Sequence, residues 1–226
     1  MTPPRLSFLY TTTAPQSLPP CPYTFPNPAR GPGDGPLAEG GDFEPATIIE
    51  AYRRGIFPWP HGRNELLWFS PDPRAVIPIG GLRVSTRLAR TLRQGRFRVT
   101  MDTAFQEVVA GCAQREEGTW ITPNYARGYT RLHELGWAHS FEVRTAEGEL
   151  AGGLYGIRVG RMFGAESMFH RVSDASKMAM VAMMQWAEAE GITLVDVQVI
   201  SPHTASMGAV EISRAEYLER LGEAVR

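Results

Sequence analysis

The stretch from Ser140 to Phe169 constrains the fold more than any other part of this chain. Three strand-like runs, Ser140 to Arg144, Leu150 to Val159 and Arg161 to Phe169, follow one another with the Gly148 and Gly160 turns between them. Turns that short join strands running in opposite directions, so the pattern predicts an antiparallel meander. An apolar helix follows, capped by Ser173 or Asp174, reaching Glu190 and closed by Gly191. Thr193 to Ile200 then reads as another strand.

Before the meander the apolar period is helical. Pro45 opens a short helix through Ile48, Ile49 and Tyr52 that stops at Gly55. Ser85 caps a second, ending at Gly95, in which Leu88 and Leu92 share one face and Arg87, Arg90 and Arg93 line the other. Asp102 is expected to cap a third with an inward stripe of Phe105, Val108, Val109 and Cys112. Thr122-Pro123 starts a fourth that carries Tyr129 and Leu132 to Gly136, and Ser213 with Glu216 marks a final one. Helices packed on a mostly antiparallel sheet define the α+β class.

Ten of the 18 prolines fall within residues 1 to 36, so residues 1–39 read as a proline-rich lead, irregular or mobile. Residues 40–80, dense in aromatics and prolines, are expected to form a small amino-terminal lobe, and 81–226 the main domain.

Several function classes are disfavoured. The longest unbroken apolar run, Met178 to Met184, is far short of the roughly 20 residues of a membrane span. Cys21 and Cys112 have no paired spacing for a disulfide framework or a zinc site, and a reducing cytoplasm fits that usage. His133-Glu134 is followed by the wrong spacing for a metalloprotease helix, and no metal motif remains. No Gly-x-Ser-x-Gly elbow, nucleotide P-loop or Gly-x-Gly-x-x-Gly fingerprint occurs. The net charge of −1 argues against a protein that coats nucleic acid, but Gly81 to Met101 holds six arginines, Arg83, Arg87, Arg90, Arg93, Arg96 and Arg98, and no acid.

Three polar groups in apolar strands could carry chemistry. Alternation places Asp196 and Gln198 on one side of their strand, flanked by Leu194 and Ile200, which describes either a solvent-facing edge or the wall of a cleft. Glu166 shares a predicted face with Gly164 and Met168, where an acid is either exposed or partnered. Trp59 and Trp120 sit in loop-like stretches, where a ring either packs in the core or stacks on a base.

Read together, Trp68-Phe-Ser-Pro-Asp-Pro-Arg74, Glu117-Gly-Thr-Trp-Ile-Thr122, Arg131-Leu-His-Glu-Leu-Gly136, Gly153-Leu-Tyr-Gly156, Glu166-Ser-Met-Phe169 and Asp196-Val-Gln-Val199 with His203-Thr-Ala-Ser206 closely resemble the bacterial leucyl/phenylalanyl-tRNA-protein transferases, in order and spacing, from about Gly40 to about Tyr217. The resemblance implies a small amino-terminal lobe and a larger domain similar to the acyl-CoA N-acetyltransferases. It implies no metal or nucleotide cofactor. The partners would be leucyl- or phenylalanyl-tRNA and proteins beginning with Arg or Lys, marked thereby for degradation, with no membrane involved. Carried over by residue, it assigns catalysis to Glu166, Asp196 and Gln198. Tyr52, Trp59 and Trp120 fall near the terminal adenosine, with Tyr129 also among the substrate-binding residues. The aminoacyl pocket falls on Leu154, Phe163, Met168, Met180, Met183 and Val195, and the tRNA-binding surface on Arg83, Arg87, Arg90 and Arg93. Phe69 and Leu154 depart from the tryptophan and methionine common there, and the proline-rich start is longer than the family needs.

Three other readings compete: an RNA-binding module without catalysis, a thiol hydrolase using Cys112 with His133 or His139, and an acetyl-CoA-dependent transferase. The last lacks a glycine-rich pyrophosphate loop.

Overall fold

The computed structural model describes residues 4–8, 10, 14–60, 65–114 and 118–226. Glu117, the first residue of one motif quoted above, lies outside the described residues.

A small sheet forms from β1 (Ala38–Glu39), β2 (Phe57–Pro58) and β3 (Leu67–Phe69), in the order β1-β3-β2, with α1 (Pro45–Arg53) between its first two strands. The larger sheet has seven strands: β4 (Arg74–Ile77), β5 (Arg98–Met101), β6 (Ala138–Arg144), β7 (Leu150–Val159), β8 (Met162–His170), β9 (Leu194–Gln198) and β10 (Val210–Ile212). Their order is β10-β4-β9-β8-β7-β6-β5. Every neighbouring pair is antiparallel except β8 and β9. The expected meander is β6-β7-β8. The parallel pair at the centre follows from the apolar helix α5 (Ala175–Ala189), because strands that run the same way need a crossover between them.

Helices cover both faces. Leu88 and Leu92 of α2 (Thr86–Arg93) and the methionines of α5 pack with Phe141, Leu154, Phe163 and Val195 on one face. On the other, α1, α3 (Phe105–Ala113), α4 (Pro123–Glu134) and α7 (Arg214–Ala224) bury Tyr52, Val108, Tyr129 and Tyr217 against Tyr155 and Leu194. A short helix, α6 (Pro202–Ser206), links β9 to β10. The small amino-terminal region beside a larger helix-flanked, mostly antiparallel sheet is the α+β arrangement that the pattern implies.

Local signals hold where the chain's own chemistry dominates. Ser85, Thr122 and Ser213 each accept a backbone N–H from the third residue onward, as caps do. Asp102 does not: its φ is 59°, and its carboxylate turns to the Ser140 N–H at 2.8 Å and to His139 Nδ1 at 2.7 Å, so α3 starts later without a side-chain cap. The proline-rich lead has little regular structure but is tied down in its described parts. Phe25 is buried edge-on to Trp68, and Arg214 donates to the carbonyls of Gly31, Pro32 and Ser70.

Candidate active site

The parallel pairing of β8 with β9 is recorded through Gly164 and Asp196, while β8 continues to His170. Past that point a cavity of about 420 Å³ lies between the two strands, lined by Glu166 to Met168 on one side and Val197 to Val199 on the other. Phe57, Trp59 and Trp120 add an aromatic wall, in which the two tryptophans meet edge to face at 6.2 Å.

Two irregularities aim the polar groups. On β8, Tyr155 pairs with Ser167 and Gly156 with Ala165, so Glu166 is the extra residue of a β-bulge. This corrects the expected face: Gly164 and Glu166 lie on the tyrosine side, whereas Met168 packs with the cluster on the α5 side. On β9, Ala75 pairs with Gln198 and Val76 with Asp196, leaving Val197 as the extra residue. Gln198 itself has φ 63°, which ends the strand two residues earlier than alternation predicts. Gly164 has a close-approach role, since a Cβ there would stand 3.1 Å from the Tyr52 ring.

Glu166 receives four donors. Tyr52 Oη donates to Oε1 at 2.5 Å and Gln198 Nε2 to the same oxygen at 3.2 Å, while Tyr125 and Tyr129 donate to Oε2 at 3.1 and 3.2 Å. Tyr125 and Tyr129 are four residues apart on α4, so they share a face and stack at 4.0 Å. Burial pushes the Glu166 carboxyl up to about 7. The tyrosine hydroxyls oppose that shift, and the charge of Asp196 adds to it. Burial also raises the three tyrosines well above their usual range, which keeps them as donors.

Asp196 is fully buried and held from behind. Arg74 grips it with Nε to Oδ1 at 2.9 Å and Nη2 to Oδ2 at 2.6 Å, and Tyr217 Oη adds a bond to Oδ2 at 2.9 Å. The Arg74 guanidinium sits over the rings of Tyr217 and Phe57. The other bond to Oδ1 comes from the backbone N–H of Gln198 at 2.8 Å. Asp196 and Gln198 therefore do not present side by side to one space: the acid locks the backbone turn, and the amide lines the cavity.

Of the sequence-derived candidates, Trp59, Trp120, Leu154, Glu166, Met168 and Gln198 line the cavity. Tyr52 and Tyr129 stand behind Glu166. Phe163, Met180, Met183 and Val195 are buried in the core on the α5 side and are not among the cavity-lining residues. Arg83, Arg87, Arg90 and Arg93 are exposed, the last three on α2. Tyr125, Arg74 and Tyr217 were missed as site residues. The four-residue spacing of Tyr125 and Tyr129 is a readable signal, and Arg74 is the last residue of the Trp68–Arg74 motif.

Residues 76–222 match the family model described as leucyl/phenylalanyl-tRNA protein transferase, and residues 41–72 match the model of its amino-terminal domain. A leucyl/phenylalanyl-tRNA–protein transferase from Anaeromyxobacter sp. (strain Fw109-5) is 50% identical over 206 residues, covering 89% of this chain and 87% of that protein. Transferases of the same name from Edwardsiella ictaluri (strain 93-146) and Proteus mirabilis (strain HI4320) are 49% and 48% identical, covering 87% and 88% of this chain and 82% and 86% of theirs.

Proposed function

The chain belongs to the leucyl/phenylalanyl-tRNA–protein transferase family, and we propose that it moves leucine or phenylalanine from aminoacyl-tRNA onto the α-amino group of proteins that begin with Arg or Lys, marking them for degradation in the cytoplasm. The observation that carries the mechanism is the double restraint on Gln198. Asp196 fixes its backbone, and Glu166 takes its Nε2, so the amide's orientation is set from both ends. Gln198 keeps its second Nε2 N–H and, as its hydrogen-bond acceptor, Oε1, to which no described residue donates.

An aminoacyl ester is already activated, so aminolysis needs alignment and charge stabilisation, and no nucleotide. The neutral amine attacks the ester carbonyl. A C–N bond forms, the C–O bond to the terminal ribose breaks, and the ribose oxygen leaves with a proton. Gln198 Oε1 would accept one N–H of the incoming amine and point its lone pair at the carbonyl. Glu166 and Asp196 act as positioning residues, because their acceptor sites are filled by protein donors.

Trp59 and Trp120 suit the terminal base, since stacking is worth about 1 to 3 kcal/mol per base. Leu154 and Met168 offer the apolar lining that either donor side chain needs. For Phe163, Met180, Met183 and Val195 the role that fits their burial is to support that lining from behind. The exposed arginines Arg83, Arg87, Arg90 and Arg93 would meet phosphates of the acceptor stem.

The test uses labelled Leu-tRNA and Phe-tRNA with peptides that differ only at their first residue. Label should enter peptides beginning with Arg or Lys, and failure of every peptide to take it up refutes the proposal. Gln198→Ala should lower kcat on the order of a hundredfold while leaving the Kd for aminoacyl-tRNA nearly unchanged. Parallel losses in both would remove Gln198 from the chemical step.

A further inference from the structure

A second set of polar residues lines the same cavity and takes no part in the arrangement around Gln198. It comprises His170 at the end of β8, Ser176 in the first turn of α5, and Ser201, His203 and Thr204 at the start of α6. No acid is among its members, and Lys177 follows Ser176 in the first turn of α5, close enough to His203 to act on it electrostatically. Burial, then the neighbouring Lys177 and His170, push the His203 imidazole below its usual range. His203 Nε2 is buried and has no hydrogen-bond partner among the described residues. Asp174, the acid nearest in sequence to this wall, is already engaged by Thr91 Oγ1 at 3.1 Å and Arg87 Nε at 3.4 Å. That contact ties the start of α5 to the arginine face of α2. A second tie runs from the Arg83 N–H to the Met207 carbonyl at 2.9 Å, at the end of α6. The basic surface and the imidazole-bearing wall are therefore joined at both flanks.

We propose that this wall is a phosphate site, in which His170, Lys177 and His203 receive the 5′-phosphate of the donor's terminal nucleotide, so that the RNA strand passes from α2 directly into the cavity. The inference rests on the transferase reading and extends it. A cationic acceptor is repelled by such a wall and is drawn toward Glu166, the acid among the described lining residues. The anion that must lie within one nucleoside of the ester is that phosphate. Its arrival would also draw a proton onto His203, so the imidazole gains charge when the site is filled.

Two synthetic donors test this: the 3′-phenylalanyl ester of adenosine, and the same ester carrying a 5′-phosphate. The quantity read is the ratio of their kcat/KM values. In the native chain the phosphate should raise kcat/KM on the order of tenfold. In Lys177→Gln with His203→Gln the ratio should fall to about one, and Lys177→Arg should restore most of it. A ratio that stays high in the double variant overturns the proposal. Equal loss with both donors also overturns it, by giving the pair a structural role. If the native chain fails to transfer from intact aminoacyl-tRNA in the same assay, the transferase reading falls as well, and that outcome is distinct from an unchanged ratio.

Discussion

Asp196 and Glu166 stand on neighbouring strands of one sheet, and the protein handles their charge by opposite means. Behind the site, Asp196 meets a full positive charge: Arg74 grips both of its oxygens, in a place closed to solvent. At the cavity, the donors that Glu166 meets among the described residues are neutral, three tyrosine hydroxyls and one amide. A buried carboxylate gripped by a guanidinium has a full opposite charge to offset the cost of leaving water. A carboxylate held by dipoles alone keeps part of its desolvation cost, and its proton equilibrium moves toward neutral pH. The rear of the site is thus held by an ion pair, and the front carries a carboxyl that titrates near neutral pH.

The largest effect should come from breaking the rear pair. Arg74→Met leaves Asp196 buried without a counter-charge and removes the ring-stacked guanidinium, and it should cost about 3–5 kcal/mol of folding stability. Denaturant titration measures it, and a loss below about 1 kcal/mol would show that the pair is not what holds this layer together.

Glu166→Gln should act mainly through pH. The folded protein holds this proton up to about pH 7, whereas the carboxyl of the unfolded chain releases it near the ordinary 4.5. Across that window the native state binds more protons than the unfolded one, so this group lowers stability as pH rises. The uncharged amide should flatten that slope, as followed by Tm between pH 5 and 8. An unaltered slope would mean that Glu166 does not titrate there.

The smallest change, Tyr125→Phe, removes one of the four donors and keeps the ring stack. The Glu166 equilibrium should move upward by a few tenths of a pH unit, carrying the pH profile of transfer with it. A profile that does not move would show that the three tyrosines do not share the work of holding the carboxylate.

The legible parts of this molecule were those written in local chemistry. Glycine turns and alternation announced β6 to β8, and Ser85, Thr122 and Ser213 announced three helix starts. Asp102 misled because its carboxylate found better partners, Ser140 and His139, on a strand far along the chain. The short pairing strand β10 and the link α6 carried too few residues to show a period.

For the site itself, the sequence determined which residues could do chemistry and, through the joint order of its motifs, which family the chain belongs to. It could not decide where those residues face. Alternation assumes an unbroken strand, and the two bulges at Glu166 and Val197 break it, because the extra residue in each is inserted relative to a partner strand that local pattern does not contain. Only the tertiary structure set Asp196 against Arg74, closed the tyrosines around Glu166 and left Gln198 at the cavity. Those relations depend on contacts between segments that meet only when the sheet is assembled.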